Sequence, residues 1–313
     1  MKKKLLVLCG GVGGAKLAYG LSKILPPEEL IFLVNTGDDF EHLELHISPD
    51  LDTVMYTLSG INDPERGWGL RDETWSTLDS LKRYGVDTWF QLGDKDLATH
   101  IRRTQLLNDG KKLSEVTEIL SKSLGLKCKI IPMSEDLVQT VVKTTIGDLP
   151  FQEYFVKHQC EPIVKEIVFS GKQNPQIPLY LESLLKNGSL KGVIICPSNP
   201  YLSIDPILSI KEIKSFLSTT KIPVLAVSPI IDNDSIKGPT AKIMKEMGIK
   251  SNIESIAKHY EGLINLLIID KKDIGYLKIN QDKAVSVDSI LMDSEEKKIS
   301  LAEICLKKIE ELI

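Results

Sequence analysis

The sequence predicts an α/β protein with a Rossmann-like, doubly wound, mostly parallel sheet and an inserted lobe of mixed helical and β structure. Short apolar runs typical of buried strands alternate with amphipathic helical segments over residues 1–60, and this alternation returns over residues 176–313. Residues 61–175 differ, because helical periodicity dominates first and strand-like pieces follow. We therefore expect a core formed by residues 1–60 and 176–313 and a lobe formed by residues 61–175.

A glycine-rich loop follows the first expected strand. The apolar run at residues 5–9 predicts a buried strand, and a helix is expected over roughly residues 15–25. The two prolines at residues 26 and 27 are expected to end this helix. Four glycines stand between them, and their lack of a side chain lets backbone N–H groups approach a ligand at a helix N-terminus. The pattern is typical of a phosphate site, formed here by Gly10, Gly11, Gly13 and Gly14 with Lys16.

This loop matches neither common nucleotide-binding motif. A P-loop requires a lysine followed by serine or threonine, whereas Leu17 follows Lys16. The dinucleotide motif Gly-x-Gly-x-x-Gly fits Gly11 and Gly13, but Lys16 occupies the place of its third glycine. A tight connection without a ligand remains the alternative, although four glycines exceed what such a turn needs.

The other core strands are expected to end at the same edge of the sheet. Because ligands bind beyond the carboxyl ends of parallel strands, the polar and proline-containing loops that follow these strands predict one shared site. We expect core strands at 31–35, 193–196, 224–227 and 263–269 and core helices at 51–58, 206–218, 240–260 and 299–313. In the lobe we expect helices at 72–84, 94–107 and 114–124 and strands at 128–131, 138–144 and 151–156.

Carboxylates stand close to the glycine loop in this arrangement. Thr36 and Asp38 follow the second strand and are expected substrate contacts, while Asp50 and Asp52 begin the next helix. Carboxylates beside a phosphate would repel it unless a cation intervenes, and Mg²⁺ is held by one or two carboxylates plus substrate oxygens. We therefore predict a Mg²⁺ site at Asp50 and Asp52. Two alternatives stay open, in which Asp50 caps the helix and Asp38 binds a ribose hydroxyl.

Further candidates supply a cation and fixed hydrogen-bonding groups. Lys95 lies at the start of an expected helix and suits a polyphosphate substrate, while His100 is an acid/base candidate or a structural histidine. Two prolines rigidify the loop that presents Ser198 and Asn199, and Ser228 precedes another proline. A plain turn is the alternative for both loops.

Composition excludes several classes of protein. The 313 residues carry 39 Lys and Arg against 43 Asp and Glu, a net charge of −4, which argues against a general nucleic-acid binder. The first apolar run is too short for a signal peptide or a membrane span. Five widely spaced cysteines form no Cys-x-x-Cys pair, so we expect reduced thiols, a cytoplasmic protein and neither nucleic-acid nor membrane partners.

Taken together, these pieces resemble the 2-phospho-L-lactate transferase family of coenzyme F(420) biosynthesis. No single piece is decisive, but their order and spacing together are specific. The matching stretches are residues 10–17, 34–36, 47–54, 92–96, 98–100, 132–134, 197–200, 227–230 and 238–239.

The resemblance implies a reaction and its participants. The acceptor would be 7,8-didemethyl-8-hydroxy-5-deazariboflavin (Fo), and the donor a guanosine diphosphate ester, lactyl-2-diphospho-5′-guanosine or its enolpyruvyl relative. Transfer would give coenzyme F(420)-0 or its dehydro form plus GMP, with Mg²⁺ as cofactor and a homodimer as the assembly.

The resemblance also implies roles for individual residues. Asp50 would contact the Fo hydroxyl or the metal, Asp52 would support it, and Lys95 would neutralise developing charge, so these three are the expected catalytic residues. Glycines 11–14 would cradle phosphate, and Ser198 with Asn199 would hold the guanosine end. The family often has a second basic residue at the position that Leu97 occupies in this chain. The resemblance therefore assigns no basic side chain to that position here.

Two other functions stay in view. A regulatory protein of the gluconeogenesis-factor type shares the glycine loop and binds nucleotide sugars, but is not expected to combine the Ser-Pro-Asp-Leu-Asp and Gly-Asp-Lys-Asp stretches. The function of an NAD-dependent oxidoreductase is excluded because the dinucleotide motif lacks its third glycine.

Overall fold

The computed structural model describes residues 3–232, 234–235, 238–276 and 284–313. The strands are β1 (Lys4–Cys9), β2 (Leu30–Val34), β3 (Phe40–His42), β4 (Leu45–Ile47), β5 (Lys129–Pro132), β6 (Val138–Thr144), β7 (Gly147–Pro150), β8 (Val164–Gly171), β9 (Leu190–Ile195), β10 (Val224–Val227), β11 (Ile230–Ile231), β12 (Asp234–Ser235), β13 (Leu266–Asp270) and β14 (Ala284–Val287). The helices are α1 (Gly11–Ile24), α2 (Pro49–Ser59), α3 (Ser76–Arg83), α4 (Asp96–Asn108), α5 (Leu113–Ser123), α6 (Leu179–Lys186), α7 (Asp205–Ser209), α8 (Lys211–Thr219), α9 (Thr240–Glu246), α10 (Ile253–His259) and α11 (Glu295–Glu311).

A seven-stranded sheet forms the centre, in the order β14-β13-β10-β9-β1-β2-β5. Every neighbouring pair in it is parallel, which confirms the predicted α/β fold with a mostly parallel, doubly wound sheet. β1 lies in the interior of the sheet, so its apolar residues after Lys4 are buried on both faces.

Alternating side chains of β1 enter two separate hydrophobic clusters. Leu6 and Leu8 pack on the face covered by α6 to α10, whereas Leu5 and Val7 pack on the face covered by α1, α2, α4, α5 and α11. This division follows from the two-residue period of a strand. The glycine loop after β1 is thereby fixed at the carboxyl edge of the sheet, between two packed layers.

Residues 61–175, predicted as an inserted lobe, supply β5 to the edge of the central sheet and also form the antiparallel sheet β7-β6-β8. The strand predicted at residues 151–156 is wrong, because residues 151–157 form a helical turn. Its backbone groups bond locally, with the His158 N–H donating to the Glu153 carbonyl at 2.9 Å. The division of the chain into core and lobe stays a prediction.

In the described part of the chain, seven short or peripheral strands were not predicted from the sequence, namely β3, β4, β7, β8, β11, β12 and β14. β8 carries charged residues and buries only one of its eight residues, so it lacks the apolar run of a core strand. β14 has four residues and pairs with β13 at one edge of the sheet. No helix within the described ranges is long and apolar enough to cross a membrane.

Candidate active site

A cleft of about 750 Å³ opens at the carboxyl edge of the central sheet. The loops after β1, β2, β9 and β10 all contribute to its walls, as the parallel arrangement predicts. The N-terminal half of α2, the start of α4 and the helical turn at residues 151–157 also contribute to the walls. The cleft therefore has walls from the segments assigned to the core and from the segment assigned to the lobe.

The glycine loop lets three chain segments meet without side chains between them. A Cβ at Gly10 would collide with the Asp50 carboxylate, and one at Gly13 would lie 2.5 Å from the Pro197 carbonyl oxygen. Gly11, with φ of +60°, adopts a conformation that L side chains rarely take. Much of the glycine content is thus explained by the close approach of the protein's own groups.

Two of the loop's N–H groups are engaged by side chains of the site. The Gly10 N–H donates to Ser198 Oγ at 3.2 Å, and the Gly11 N–H donates to Asp50 Oδ1 at 2.6 Å. The next N–H groups, on Val12 and Gly13, belong to the first turn of α1 and have no acceptor within the helix. Both residues line the cleft, so the helix N-terminus is placed to bind an anion there.

Asn35, at the end of β2, holds two buried carboxylates together. Its side-chain nitrogen donates to Asp50 Oδ2 at 2.9 Å and to Asp38 Oδ1 at 3.2 Å. Its side-chain oxygen accepts the Gly37 N–H at 2.8 Å, which leaves only the nitrogen to face the carboxylates. Asp38 also accepts a bond from the Gln152 amide nitrogen, to Oδ2 at 3.0 Å.

The environment of this pair disfavours two negative charges. Burial raises the pKa of Asp50 to about 6. Burial, and then the charges of Asp50 and Asp39, raise the pKa of Asp38 well above its usual range. Each oxygen of Asp38 and Asp50 accepts one N–H and keeps further acceptor capacity. A divalent cation beside these oxygens would relieve the repulsion, so the donor set fits Mg²⁺.

A second acidic cluster lies where α2 meets α4. Asp52, Asp96 and His100 have possible ligand atoms within 4.8 Å of one another, a geometry compatible with a divalent metal. However, the buried Arg103 guanidinium pairs with both oxygens of Asp52. This cluster thus already holds a cation of the protein's own, and a metal would compete with it.

His100 lies between the same guanidinium and a further carboxylate. Arg103 Nη1 lies 3.2 Å from His100 Nδ1, and His100 Nε2 lies 3.3 Å from Asp96 Oδ2. His100 is therefore held within this cluster by groups of the protein itself.

Asp50 and Asp52 are two residues apart on α2, so their side chains leave the helix about 200° apart. Asp50 contacts the glycine loop, whereas Asp52 contacts Arg103 on α4. Asp38 is the carboxylate that shares a partner with Asp50. Asp50 and Asp52, which were predicted to bind a metal jointly, therefore have separate partners in the structure.

Aromatic side chains form another wall of the cleft. Trp89 and Phe90 lie edge to face, with ring centroids 5.6 Å apart, and both line the cleft. Phe151 and Phe155 stack on each other at 5.4 Å and line it as well. Rings arranged in this way suit a planar heterocyclic ligand. Phe40 and His42 pack behind Trp89 and Phe90.

Comparison with known proteins agrees with these features. The model of the family described as 2-phospho-L-lactate transferase CofD matches residues 5–309. The chain belongs to the CofD family. A 2-phospho-L-lactate transferase of Methanosarcina mazei is 36% identical over 310 residues, which is 97% of this chain and 99% of that protein. A phosphoenolpyruvate transferase of Streptomyces griseus is 39% identical over 279 residues, 87% of each chain.

The fold of this CofD-family chain recurs in a solved structure. A member of the UPF0052 family from Bacillus halodurans superposes with a TM-score of 0.62, covering 98% of this chain and 99% of that one. At 14% sequence identity, this likeness concerns the fold alone.

In this CofD-family chain, most of the predicted site residues line the cleft. They are Gly10, Gly11, Gly13, Lys16, Asp38, Asp50, Asp52, Ser198 and Asn199. Four others lie outside its lining. Gly14 packs against Ser198 and Cys9, Thr36 is buried, Ser228 bonds to the backbone of Ile230, and the Lys95 ammonium donates to the Arg71 carbonyl at 2.9 Å.

Sequence reasoning missed other groups of the site, namely Asn35, Arg66, Gln152 and the aromatic wall. Arg66 lines the cleft, and its guanidinium lies over the rings of Trp68 and Trp75. The occurrence of all three tryptophans within residues 68–89 was the available signal. Asn35 lies in the matching stretch 34–36 at the end of a predicted core strand but was not selected as a site residue, and nothing in the sequence alone distinguished Gln152 from other amides.

Proposed function

We propose that this protein transfers a 2-phospholactate or phosphoenolpyruvyl group from a guanosine diphosphate ester to Fo, giving coenzyme F(420)-0 or its dehydro form plus GMP. The observation that carries this proposal is the Asp38–Asn35–Asp50 arrangement, held against the first turn of α1. Such a site joins a phosphate-binding helix terminus to a pair of carboxylates that fits a cation. The names of the M. mazei and S. griseus relatives support the two alternative donors.

The donor diphosphate is proposed to lie against the first turn of α1. Val12 and Gly13 offer N–H groups there, and Lys16 and Arg66 are the basic side chains that line the cleft in the described part of the chain. Phosphoryl transfer depends mostly on positioning and on neutralising charge, so these groups supply what the donor requires. Lys95 can act as predicted only if its ammonium group leaves the Arg71 carbonyl and binds the substrate instead.

The guanosine end is proposed to bind at Ser198 and Asn199, after β9. Asn199 Oδ1 accepts N–H groups of Tyr201 and Leu202 at 3.0 and 3.1 Å, which fixes the amide orientation. The amide nitrogen is buried and has no hydrogen-bond partner among the residues that the structure describes. An unpaired buried donor is costly, and a phosphate or base oxygen would satisfy it.

The Fo ring is proposed to lie against Trp89, Phe90 and the Phe151–Phe155 pair, with its ribityl chain directed toward Asp50. The terminal hydroxyl oxygen then bonds to the distal phosphorus as the bond from that phosphorus to the bridging oxygen breaks. GMP leaves, and the hydroxyl proton passes to a carboxylate of the site. Bound at Asp38 and Asp50, Mg²⁺ would neutralise phosphate charge. A homodimer stays a prediction.

The direct test is a turnover assay. The protein is mixed with Fo, Mg²⁺ and each candidate donor in turn, and GMP release is followed. We expect GMP release with at least one guanosine donor. The donor that releases GMP faster identifies whether the transferred group is 2-phospholactate or phosphoenolpyruvyl. Absence of GMP with every guanosine donor, together with tight binding of a UDP-sugar, would instead favour the regulatory function.

Replacing Asp50 by asparagine tests the central carboxylate. We expect Asp50→Asn to lower kcat by about 100-fold or more, because the charge that orients the cation and the acceptor is lost. The matched control is Asp79→Asn, which changes an exposed carboxylate on α3 outside the cleft. Undiminished turnover by a folded Asp50→Asn protein, judged by circular dichroism, would remove Asp50 from the mechanism.

A further inference from the structure

Gln152 joins the helical turn at residues 151–157 to the carboxylate pair. Its side chain is 6% exposed, and it lies in the segment predicted as the inserted lobe. The amide nitrogen donates to Asp38 Oδ2 at 3.0 Å across 114 positions of the sequence. A buried amide bonded to a buried carboxylate is a directional contact, because both partners are desolvated.

The two oxygens of Asp38 are held from opposite sides. Asn35, on the sheet, donates to Oδ1, and Gln152, on the turn, donates to Oδ2. One donor on each oxygen fixes the plane of the carboxylate and leaves each oxygen free to accept again. Without Gln152, the Asn35 amide alone would define the orientation, and it is shared with Asp50.

The turn that carries Gln152 also carries part of the aromatic wall. Phe151 precedes it directly, and Phe155 stacks on Phe151 at 5.4 Å. Both rings line the cleft beside Gln152. A planar ligand that settles against these rings would therefore order the same turn that orients Asp38.

We propose that Gln152 is a positioning residue that sets the orientation of Asp38 for Mg²⁺ and links the aromatic wall to the cation site. This inference rests on the proposed Mg²⁺ site at Asp38 and Asp50 and adds a residue that contacts neither the metal nor the reacting atoms. Groups that orient metal ligands typically change metal affinity by 10-fold to 100-fold when they are removed.

The test is calorimetric titration of Mg²⁺ into the ligand-free protein, with the thermal midpoint Tm measured without Mg²⁺. We expect Gln152→Leu to weaken Mg²⁺ binding 10-fold to 100-fold. Gln152→Asn should do the same, because its amide is one methylene shorter. The matched control is Gln139→Leu, on β6 in the same segment and outside the cleft, which should bind Mg²⁺ like the wild type.

The outcomes separate this inference from the proposed function. Wild-type Mg²⁺ affinity in Gln152→Leu, with loss of binding in Asp50→Asn, would overturn the role of Gln152 and leave the cation site intact. A lowered Tm without a change in Mg²⁺ affinity would overturn it too, since Gln152 would then be purely structural. Absence of Mg²⁺ binding by the wild-type protein would overturn this inference together with the cation site, whereas the proposed reaction is tested separately by GMP release.

Discussion

Single amides organise the charged centre of this protein. Asn35 is completely buried, and the Gly37 N–H fixes its orientation so that one nitrogen serves both Asp38 and Asp50. Replacement by aspartate would place a third carboxylate in the same desolvated space. The arrangement of these two carboxylates thus depends on a residue that carries no charge.

The raised pKa values of the carboxylate pair predict a pH-dependent response to Mg²⁺. Because the folded-state pKa of Asp50 is about 6, against 3.8 for an ordinary aspartate, stability from this group is present at low pH and lost as pH rises through about 6. Mg²⁺ binds the ionised form. We therefore expect Mg²⁺ to raise Tm more at pH 7.5 than at pH 5.5, measured by calorimetry.

The control for this prediction is Asp50→Asn, in which Mg²⁺ should change Tm little at either pH, because the variant lacks one of the two carboxylates of the cation site. An equal rise in Tm at both pH values in the wild-type protein would contradict the assignment of Mg²⁺ to this pair.

Among the secondary-structure elements, α1 connects the proposed phosphate site to the rest of the fold. Its N-terminus forms the glycine loop, and farther along it packs closely on the C-terminal helix α11 at Gly20. A Cβ at Gly20 would overlap the Lys298 carbonyl oxygen and lie 3.2 Å from the Ala302 Cβ. The position of α1, and with it the loop, therefore depends on a small residue remote from the cleft.

Gly20→Ala is expected to lower the free energy of unfolding by about 1–3 kcal/mol, because the two helices must move apart. Alanine's better helix propensity, about 1 kcal/mol, offsets only part of this loss. Urea unfolding measures the change. Gly275→Ala is the control, since a Cβ there meets open space. Equal stability of the two variants would show that α1 and α11 adjust without cost.

At the scale of the whole molecule, the cleft is assembled from segments far apart in the sequence. The loops after β1, β2, β9 and β10 meet at the carboxyl edge of one parallel sheet, and residues 151–157 close one side. Ligand binding should therefore stabilise the entire fold rather than one local segment.

GDP with Mg²⁺ should raise the Tm of the wild-type protein. At a concentration 100 times its Kd, a ligand that binds only the folded state stabilises it by about 2.7 kcal/mol. Differential scanning fluorimetry with GDP, GMP and UDP-glucose measures the effect, and Asp50→Asn with GDP is the control, expected to show a smaller shift. Stabilisation by UDP-glucose but not by GDP would contradict the proposed donor.

The parts of the site that could be predicted are those encoded by neighbouring residues. The strand, the glycines and the helix of residues 4–24 form one local unit, so their pattern predicted the strand–loop–helix arrangement that the structure has, while phosphate binding there stays a prediction. The turn at residues 151–157 could not be predicted, because three aromatic residues and a valine within seven positions also suit a strand. Lys95 was chosen for its charge, but its side chain reaches the Arg71 carbonyl rather than the cleft.

The sequence by itself determined the α/β fold class, the family and the set of acidic residues available to the site. Only the tertiary structure decided which of them lie together. Asp50 and Asp52 are neighbours in the chain, but the helix directs them to different partners. Asp38 and Asp50 come from separate elements and meet because parallel strands end at one edge, where Asn35 and Gln152 hold them in a desolvated space.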